Sequence, residues 1–338
     1  MKIPYRTRCA IKRGATVLLG ILAIAFVVWL CWMLWLNRYV IYTRDEGAKL
    51  DFSQSAQLPE GEVAAPPEQE TVSIYYNEGD NAINTNRELT QLNGYYIDVP
   101  ALQEGIDTVI TQLQALPKET PVLVDVKSIY GNFFYSSKVS DKRSSTINTE
   151  DMDKLLDYLK KSGMYLIAGV PALRDYEYGL HHVPDGLPTS GGYLWMDDDS
   201  CYWLNPSSEG TIAYLVQIVN ELKEKGFHEV LFTDFYFPET DSIVFKGDKT
   251  QALSAAASTL VKTCSSDSFC VSFLWEMDFA TPEGRCRLYK KGVAASELES
   301  VALGSGLADP AIQLVFLTEI HDTRYDAYSV LRPLAAAH

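Results

Sequence analysis

The stretch YLIAGVP, Tyr165–Pro171, is a nearly continuous apolar run that follows a helical pattern ending at Gly163. A short apolar run without polar alternation is typical of a parallel strand that is buried on both faces. The same texture recurs in the neighbouring runs PVLVDVK (Pro121–Lys127) and EVLFTDFYF (Glu229–Phe237). The three runs therefore predict consecutive strands of one parallel sheet.

Three further apolar runs extend the predicted sheet, at GYYIDV (Gly94–Val99), FCVSFLWE (Phe269–Glu276) and IQLVFLTE (Ile312–Glu319). Helical patterns lie between the runs, at 101–116, 148–163, 207–226 and 251–264. Strands that alternate with helices in this way indicate βα units.

The length of this region favours a closed barrel. Residues 94–338 are close to the roughly 250 residues of a (β/α)₈ TIM-like barrel. Six strands are placed, SVALGSG (Ser300–Gly306) is a candidate seventh strand, and the eighth is not placed, so the predicted barrel is incomplete or degenerate. A doubly wound sheet is the alternative, although no G-x-G-x-x-G motif follows a strand.

The N-terminal region predicts a membrane anchor and a spacer. Residues 1–14 carry five positive charges and no acid, and Ala15–Leu36 follows as 22 residues without a charge. A helix of that length crosses about 30 Å of hydrocarbon, whereas the apolar region of a cleavable signal peptide has only about 7–15 residues. The charge asymmetry predicts a cytoplasmic N-terminus in a single-pass cell-membrane protein, with the C-terminal domain extracellular. Residues 37–92, rich in Glu, Gln, Ala, Pro and Ser, predict a disordered extracytoplasmic stalk before a barrel domain at 93–338.

Composition excludes several functional classes. The net charge of −15 argues against a nucleic-acid partner, because duplex binding needs a basic surface. No pair of Cys or His residues has the spacing of a zinc site, and the sequence predicts neither a metal nor a cofactor. Cys264 and Cys270 could pair outside the cell, but the sequence does not establish that pairing.

Acidic residues end most of the predicted strands. Asp125, Asp234 and Glu276 are the main candidates, because the active site of a barrel of this kind lies at the carboxyl ends of its strands. Aromatic residues, including Trp203, Tyr236 and Trp275, follow the same strands and could stack on sugar rings. Helix N-capping explains any single acid equally simply, but two converging carboxylates are the minimal equipment of glycoside hydrolysis.

The segments GYYIDV, VLVDVKSIYGNFFYSS, LLDYLKKSGMYLIAGVPALRD, YWLNPSS and KGFHEVLFTDFYFP resemble, in order and spacing, the putative glycosyl hydrolase domain family of bacteria. The resemblance implies a TIM-like barrel that acts on a polysaccharide or cell-envelope glycan. Asp125 and Lys127 match the family's Asp-x-Lys, Asp175 matches an acid in the loop after the third strand, and Trp203 and Asn205 match its Trp-x-Asn-Pro.

The fourth strand departs from the family pattern, which reads Glu-x-x-Phe-Asp-Tyr-x-Arg-Phe-Pro. Thr233 stands at the position of the family's Asp and Tyr236 at that of its Arg, while Asp234 comes one residue later. A shift of one residue in a strand turns a side chain to the other face. The third strand also departs, with Gly169 where the family often has Arg.

Two functions therefore follow from the sequence. The first is a membrane-anchored glycoside hydrolase, in which Asp234 is the nucleophile or base and Glu276 the general acid. In this hypothesis Asp125 and Lys127 position the sugar, and Asp175, Trp203, Asn205, Tyr236 and Trp275 contribute to substrate binding. The second is a catalytically inactive barrel that binds an envelope glycan or an exported protein, which the departures at Thr233 and Tyr236 favour.

Overall fold

The computed structural model describes residues 40–43, 47–50, 89–277 and 279–334 of the chain, which divides into two units, 1–79 and 80–338. In the first unit, β1 (Val40–Thr43) and β2 (Gly47–Leu50) form an antiparallel pair within the predicted stalk. The predicted basic tail (1–14) and membrane helix (15–36) lie outside the described residues. Among the helices that are described, none combines the length and apolar character needed to span a membrane.

The second unit is a closed barrel of eight parallel strands. Its strands are β3 (Asn93–Ile97), β4 (Pro121–Asp125), β5 (Tyr165–Pro171), β6 (Glu229–Thr233), β7 (Cys270–Leu274), β8 (Leu288–Lys291), β9 (Leu314–Leu317) and β10 (Ser329–Pro333). Neighbours along the chain pair in parallel, and β10 pairs with β3 to close the ring. The (β/α)₈ prediction is confirmed. The predicted incompleteness of the barrel is wrong, because all eight strands are present, and the alternative of an open doubly wound sheet is also wrong.

The helices cover the outside of the barrel. They are α1 (Val99–Glu104), α2 (Ile106–Gln114), α3 (Thr149–Ser162), α4 (Tyr176–His181), α5 (Glu209–Lys225), α6 (Lys249–Cys264), α7 (Leu298–Gly304) and α8 (Pro310–Gln313). The three long ones begin at side-chain caps, from Asn148 on α3, Ser208 on α5 and Asp248 on α6. Their apolar faces pack on the outward side chains of the strands in the larger of two hydrophobic clusters.

The inside of the barrel is filled in layers, because every second residue of a strand points inward. The middle layer is apolar and includes Leu123, Ile167, Leu231, Leu274 and Val315. Two residues further along β4, β6 and β7 the inward positions are polar, at Asp125, Thr233 and Glu276, and these positions lie at the mouth formed by the carboxyl ends.

The opposite end of the barrel is closed by a buried ion pair. Glu229 accepts hydrogen bonds from Arg287 (2.6 Å), Ser272 (2.6 Å), Tyr289 (2.8 Å) and Tyr165 (2.9 Å), so four donors saturate its carboxylate. Both members of the ion pair are essentially inaccessible to solvent. We therefore interpret this ion pair as a structural element that closes the barrel, and not as a ligand-binding or catalytic site.

One strand prediction was wrong, and two strands were missed. Ser300–Gly306, the candidate seventh strand, lies largely in the helix α7. The strands that complete the barrel are β8 and β10, which the sequence analysis did not place. The predicted helix at 101–116 is two helices, because Gly105 has φ +148° between α1 and α2.

Candidate active site

The mouth of the barrel is lined by the inward residues that follow the apolar layer. Asp125 lies two residues after Leu123, Glu276 two residues after Leu274, and Lys291 two residues after Tyr289. The period of two thus carries each side chain from the barrel interior to its carboxyl end. Acids and a lysine from strands far apart in sequence meet there.

Two cavities at this mouth share Asp125 and Lys291. The smaller, of about 360 Å³, is also lined by Lys127, Thr233, Asp234 and Glu276. The larger, of about 540 Å³, continues past Tyr96, Asp98 and Glu319. All three predicted carboxylates, Asp125, Asp234 and Glu276, therefore line one cavity, as does Lys127.

The position of Asp234 depends on its backbone conformation. Thr233 is the last residue of β6 and occupies the inward position, so regular strand geometry would turn Asp234 away from the interior. Asp234 instead has φ +51°, in the left-handed region that Asp tolerates better than most residues. The chain turns at this residue, and both Thr233 and Asp234 line the cavity.

The environment of Asp234 disfavours its charged form on balance, although several neighbouring groups oppose this effect. Burial raises the pKa of Asp234, and a hydrogen bond from the Thr233 hydroxyl (3.0 Å) and the nearby charges of Arg174, Lys127 and Lys291 act against that rise. Arg174 Nη1 lies 4.0 Å from Asp234 Oδ1. Asp234 therefore lies among cations at the edge of the cavity.

Asp125 lies in a space that only glycine leaves open. Asp125 and Gly169 are register partners on β4 and β5, and a Cβ atom at Gly169 would lie 2.3 Å from Asp125 Oδ1. Burial raises the pKa of Asp125 to about 6, with Lys291 opposing and Asp98 and Asp234 reinforcing the rise. The departure at Gly169 is therefore what allows this carboxyl to lie against the strand.

Glu276 and Lys291 complete the smaller cavity. Desolvation and then the charge of Asp234 raise the pKa of Glu276, while Lys291 and Lys290 lower it. Glu276 is the most exposed of the three carboxylates. Lys291 faces all of them, and the sequence analysis missed it because the short strand LYKK did not read as a strand.

Lys127 and Asp175 form a buried pair. Lys127 Nζ lies 2.7 Å from Asp175 Oδ2, and both side chains are fully buried. Asp175 also accepts hydrogen bonds from Tyr214 Oη (2.9 Å) and from the backbone of Tyr178, where it caps α4. Asp175 is thus occupied by protein donors, and its charge is balanced within the wall of the barrel.

The remaining predicted binding residues lie around the loop after β5. Trp203 is buried, donates from Nε1 to Asp197 (2.8 Å) and packs edge-on against Tyr236. Asn205 accepts a hydrogen bond from the backbone of Ser207. Neither Trp203, Asn205 nor Tyr236 is among the residues that line the two cavities of the mouth.

Trp275 lies beside the mouth rather than in it. Its ring is covered by Lys290 Nζ at 5.0 Å from the centroid, and the same ammonium donates to the Trp275 carbonyl (2.7 Å). The indole therefore supports the end of β7 and the strand next to it.

Other possible sites are less convincing. A groove of about 730 Å³, between the loop after β4 and the helices α4 and α5, is larger than either mouth cavity, but Glu177, His181 and Tyr214 line it instead of the strand-end carboxylates. Within the described residues, no three Asp, Glu, His or Cys side chains are grouped as ligands of one metal ion. Cys201, Cys264, Cys270 and Cys286 are buried free thiols.

Comparison with known proteins agrees with the predicted resemblance. Residues 100–266 match the family described as "Putative glycosyl hydrolase domain", which confirms that resemblance. The chain matches no curated protein. The matched segment contains Asp125 and Asp234, whereas Glu276 and Lys291 follow it.

Several solved structures are similar to the chain at low sequence identity. A hypothetical protein from Ruminiclostridium thermocellum ATCC 27405 is 19% identical, with a TM-score of 0.46 over 53% of this chain and 96% of that one. The Flavobacterium johnsoniae chitobiase is 11% identical, with a TM-score of 0.46 over 69% of this chain, which spans 38% of the chitobiase. An inactive mutant of the Vibrio harveyi exo-beta-N-acetylglucosaminidase is 7% identical, with a TM-score of 0.47 over 72% of this chain and 50% of that one.

Proposed function

We propose that the chain is a membrane-anchored glycoside hydrolase that acts outside the cell on a polysaccharide or an envelope glycan. The observation that carries the proposal is the convergence of Asp125, Asp234 and Glu276 on one cavity at the carboxyl end of a closed (β/α)₈ barrel. Glycoside hydrolysis needs one carboxyl that gives a proton and one carboxylate that attacks or activates water. The match of residues 100–266 to a glycosyl hydrolase domain family supports the same reaction class.

In this proposal Asp234 is the nucleophile or the base. Its carboxylate faces Arg174 at 4.0 Å and accepts a hydrogen bond from Thr233, and both contacts favour the ionised form that these roles require. Lys127 and Lys291 add positive charge from two other directions.

Asp125 fits the role of general acid better than Glu276, to which the sequence hypothesis gave it. Burial raises the pKa of Asp125 to about 6, and a general acid works best when its pKa lies near the operating pH. Glu276 is more exposed and lines the same cavity, where it can orient the substrate or the attacking water. Lys291 lines the same cavity and can donate to a sugar hydroxyl.

The catalytic proposal is tested by screening the purified chain against envelope and plant glycans. Hydrolysis should fall at least about 100-fold in Asp125→Asn and in Asp234→Asn, because each removes a proton-transfer or nucleophilic group. Asp267→Asn, an exposed acid in the loop before β7 at the other end of the barrel, is the matched control and should retain full activity. Turnover that survives both substitutions at the mouth would eliminate the assignment.

A non-catalytic glycan-binding barrel is the second candidate. Thr233 occupies the inward position where the family has Asp, so the residue that the resemblance implies is absent from this place in the cavity. If Asp234 does not replace it, the mouth should bind saccharides without cleaving them. Isothermal titration with glycans that are recovered intact would support this second function.

The membrane anchor is a separate proposal that rests on the sequence of Ala15–Leu36 and the charges before it. A protease added to intact cells should digest the barrel and leave a short membrane-bound fragment. Complete protection of the barrel in intact cells, followed by digestion after lysis, would reverse the proposed orientation.

A further inference from the structure

Arg174, to which neither sequence hypothesis gave a role, directs its three nitrogens at three carboxylates. Nε donates to Asp197 (2.6 Å), Nη2 donates to Asp199 (2.5 Å), and Nη1 faces Asp234 at 4.0 Å. The first two acids lie in the loop after β5, and the third lies in the mouth. The guanidinium therefore joins the loop to the proposed nucleophile.

The loop holds the guanidinium in this orientation through contacts of its own. Asp197 also accepts hydrogen bonds from Trp203 Nε1 and from the backbone of Asp199 and Cys201, which fix its carboxylate. The guanidinium carbon of Arg174 lies 5.8 Å from the centroid of the Trp203 ring. With 16% of its side chain exposed, Arg174 has little freedom to turn away.

The backbone beside Arg174 is tied to the same turn. Leu173 donates its backbone N–H to the Asp234 carbonyl (3.3 Å), and Ala172 donates to the Thr233 carbonyl (2.8 Å). The residues that follow β5 thus hold the left-handed turn at Asp234 through backbone hydrogen bonds, while the Arg174 side chain faces the Asp234 carboxylate. Both the direction and the charge of Asp234 depend on this segment.

We propose that Arg174 is a positioning residue for Asp234, held in place by the loop acids Asp197 and Asp199. The inference rests on the proposed function, because it gives Arg174 a role through the nucleophile rather than on the substrate. Other charged groups also face Asp234: Lys127 and Lys291 are the other cations, and Asp125, Glu276 and Tyr236 are the titratable groups of like sign. Arg174 is the nearest cation with a direct contact, so its loss should have the largest effect.

The test follows the Asp234 carboxyl itself, which separates this inference from the proposed reaction. Aspartate labelled at the carboxyl carbon is introduced into the full chain, and the Asp234 resonance is identified by its absence from Asp234→Asn. In Arg174→Gln the titration midpoint of Asp234 should rise by at least about one pH unit, because an opposite charge within 4–6 Å favours the ionised form by that much or more. Arg174→Lys should restore part of the change.

Two further variants keep the test decisive. Asp197→Asn removes one of the two carboxylates that hold the guanidinium. The Asp234 midpoint should fall if Arg174 then moves closer to Asp234 and rise if it moves away. This variant still tests the inference if Arg174→Gln does not fold. Arg324→Gln removes an exposed arginine that is paired with Asp322 and should leave the midpoint unchanged. An Asp234 titration that is the same in the unaltered chain, Arg174→Gln and Asp197→Asn would overturn the inference. A shifted titration in a chain that hydrolyses no glycan would retain the positioning role and reject the proposed reaction.

Discussion

Replacing Asp125 by Asn should make the protein more stable at neutral pH. The ordinary pKa of the carboxyl is 3.8, and burial raises it to about 6 in the folded chain. The folded state therefore favours the protonated form, and the stability that this provides is fully present below pH 3.8 and lost as the pH rises through 6. At 1.36 kcal/mol per pH unit, the difference corresponds to about 3 kcal/mol. Asn carries no charge and should remove that penalty.

Thermal unfolding between pH 3.5 and pH 8 measures the effect. The unaltered chain and Asp125→Asn should unfold at similar temperatures at pH 3.5, and the variant should be higher by roughly 6–12 °C at pH 8, at about 2–4 °C per kcal/mol. Asp197→Asn is a control of opposite sign, because hydrogen bonds from Arg174, Cys201 and Trp203 lower the pKa of Asp197 against the effect of burial. That variant should be less stable at pH 8, with the difference lost in acid. A difference between Asp125→Asn and the unaltered chain that does not change with pH would refute the reasoning.

Two further substitutions test the packing at the two ends of the barrel. Gly169→Ala should lower glycan hydrolysis by about 100-fold, because its Cβ would displace the Asp125 carboxylate, while the free energy of unfolding falls by only about 1–3 kcal/mol. Gly304→Ala, at the end of α7 with no atom within 4 Å of the new Cβ, is the control: hydrolysis should be unchanged, and the free energy of unfolding should not fall, because Ala favours a helix over Gly. Arg287→Met should lower the free energy of unfolding by about 3–5 kcal/mol, because it leaves the Glu229 carboxylate buried without its cation. Glu229→Gln combined with Arg287→Met should recover part of that loss in chemical denaturation, and a double variant that unfolds more easily than Arg287→Met would contradict the explanation.

The sequence was informative wherever a strand is long and apolar. Tyr165–Pro171 has the same bounds in the sequence analysis and in the structure. The strands β8 and β10 were missed because each has only four or five residues and carries charged or polar side chains, such as Arg332. In β8 the inward residue Lys291 belongs to the polar mouth. The charge that makes this strand part of the site therefore also made its sequence resemble a loop. Hydrophobic periodicity cannot recover a strand whose inward positions are polar.

The candidate site shows the same limit at the level of single residues. Once their strands were known, the period-two alternation of side chains was enough to predict that Asp125 and Glu276 both point into the mouth. It did not place Asp234, whose direction depends on a single left-handed residue that follows β6. Nor could a sequence show that Asp175 would be saturated by Lys127 and Tyr214 inside the wall, since those partners come from distant parts of the chain.

Buried acids have opposite environments at the two ends of the barrel, fully hydrogen-bonded at one end and poorly compensated at the other. This contrast is the strongest argument that the mouth is functional. At the closed end, Glu229 receives four hydrogen bonds, one of them from the Arg287 guanidinium, as expected of a charge that stabilises the fold. At the mouth, Asp125, Asp234 and Glu276 all have pKa values raised first by burial, and Asp125 receives no hydrogen bond from the described residues. A fold selected for stability alone would favour apolar or paired side chains at these positions. Carboxyls held in an unfavourable environment around one cavity are instead what proton transfer near neutral pH requires.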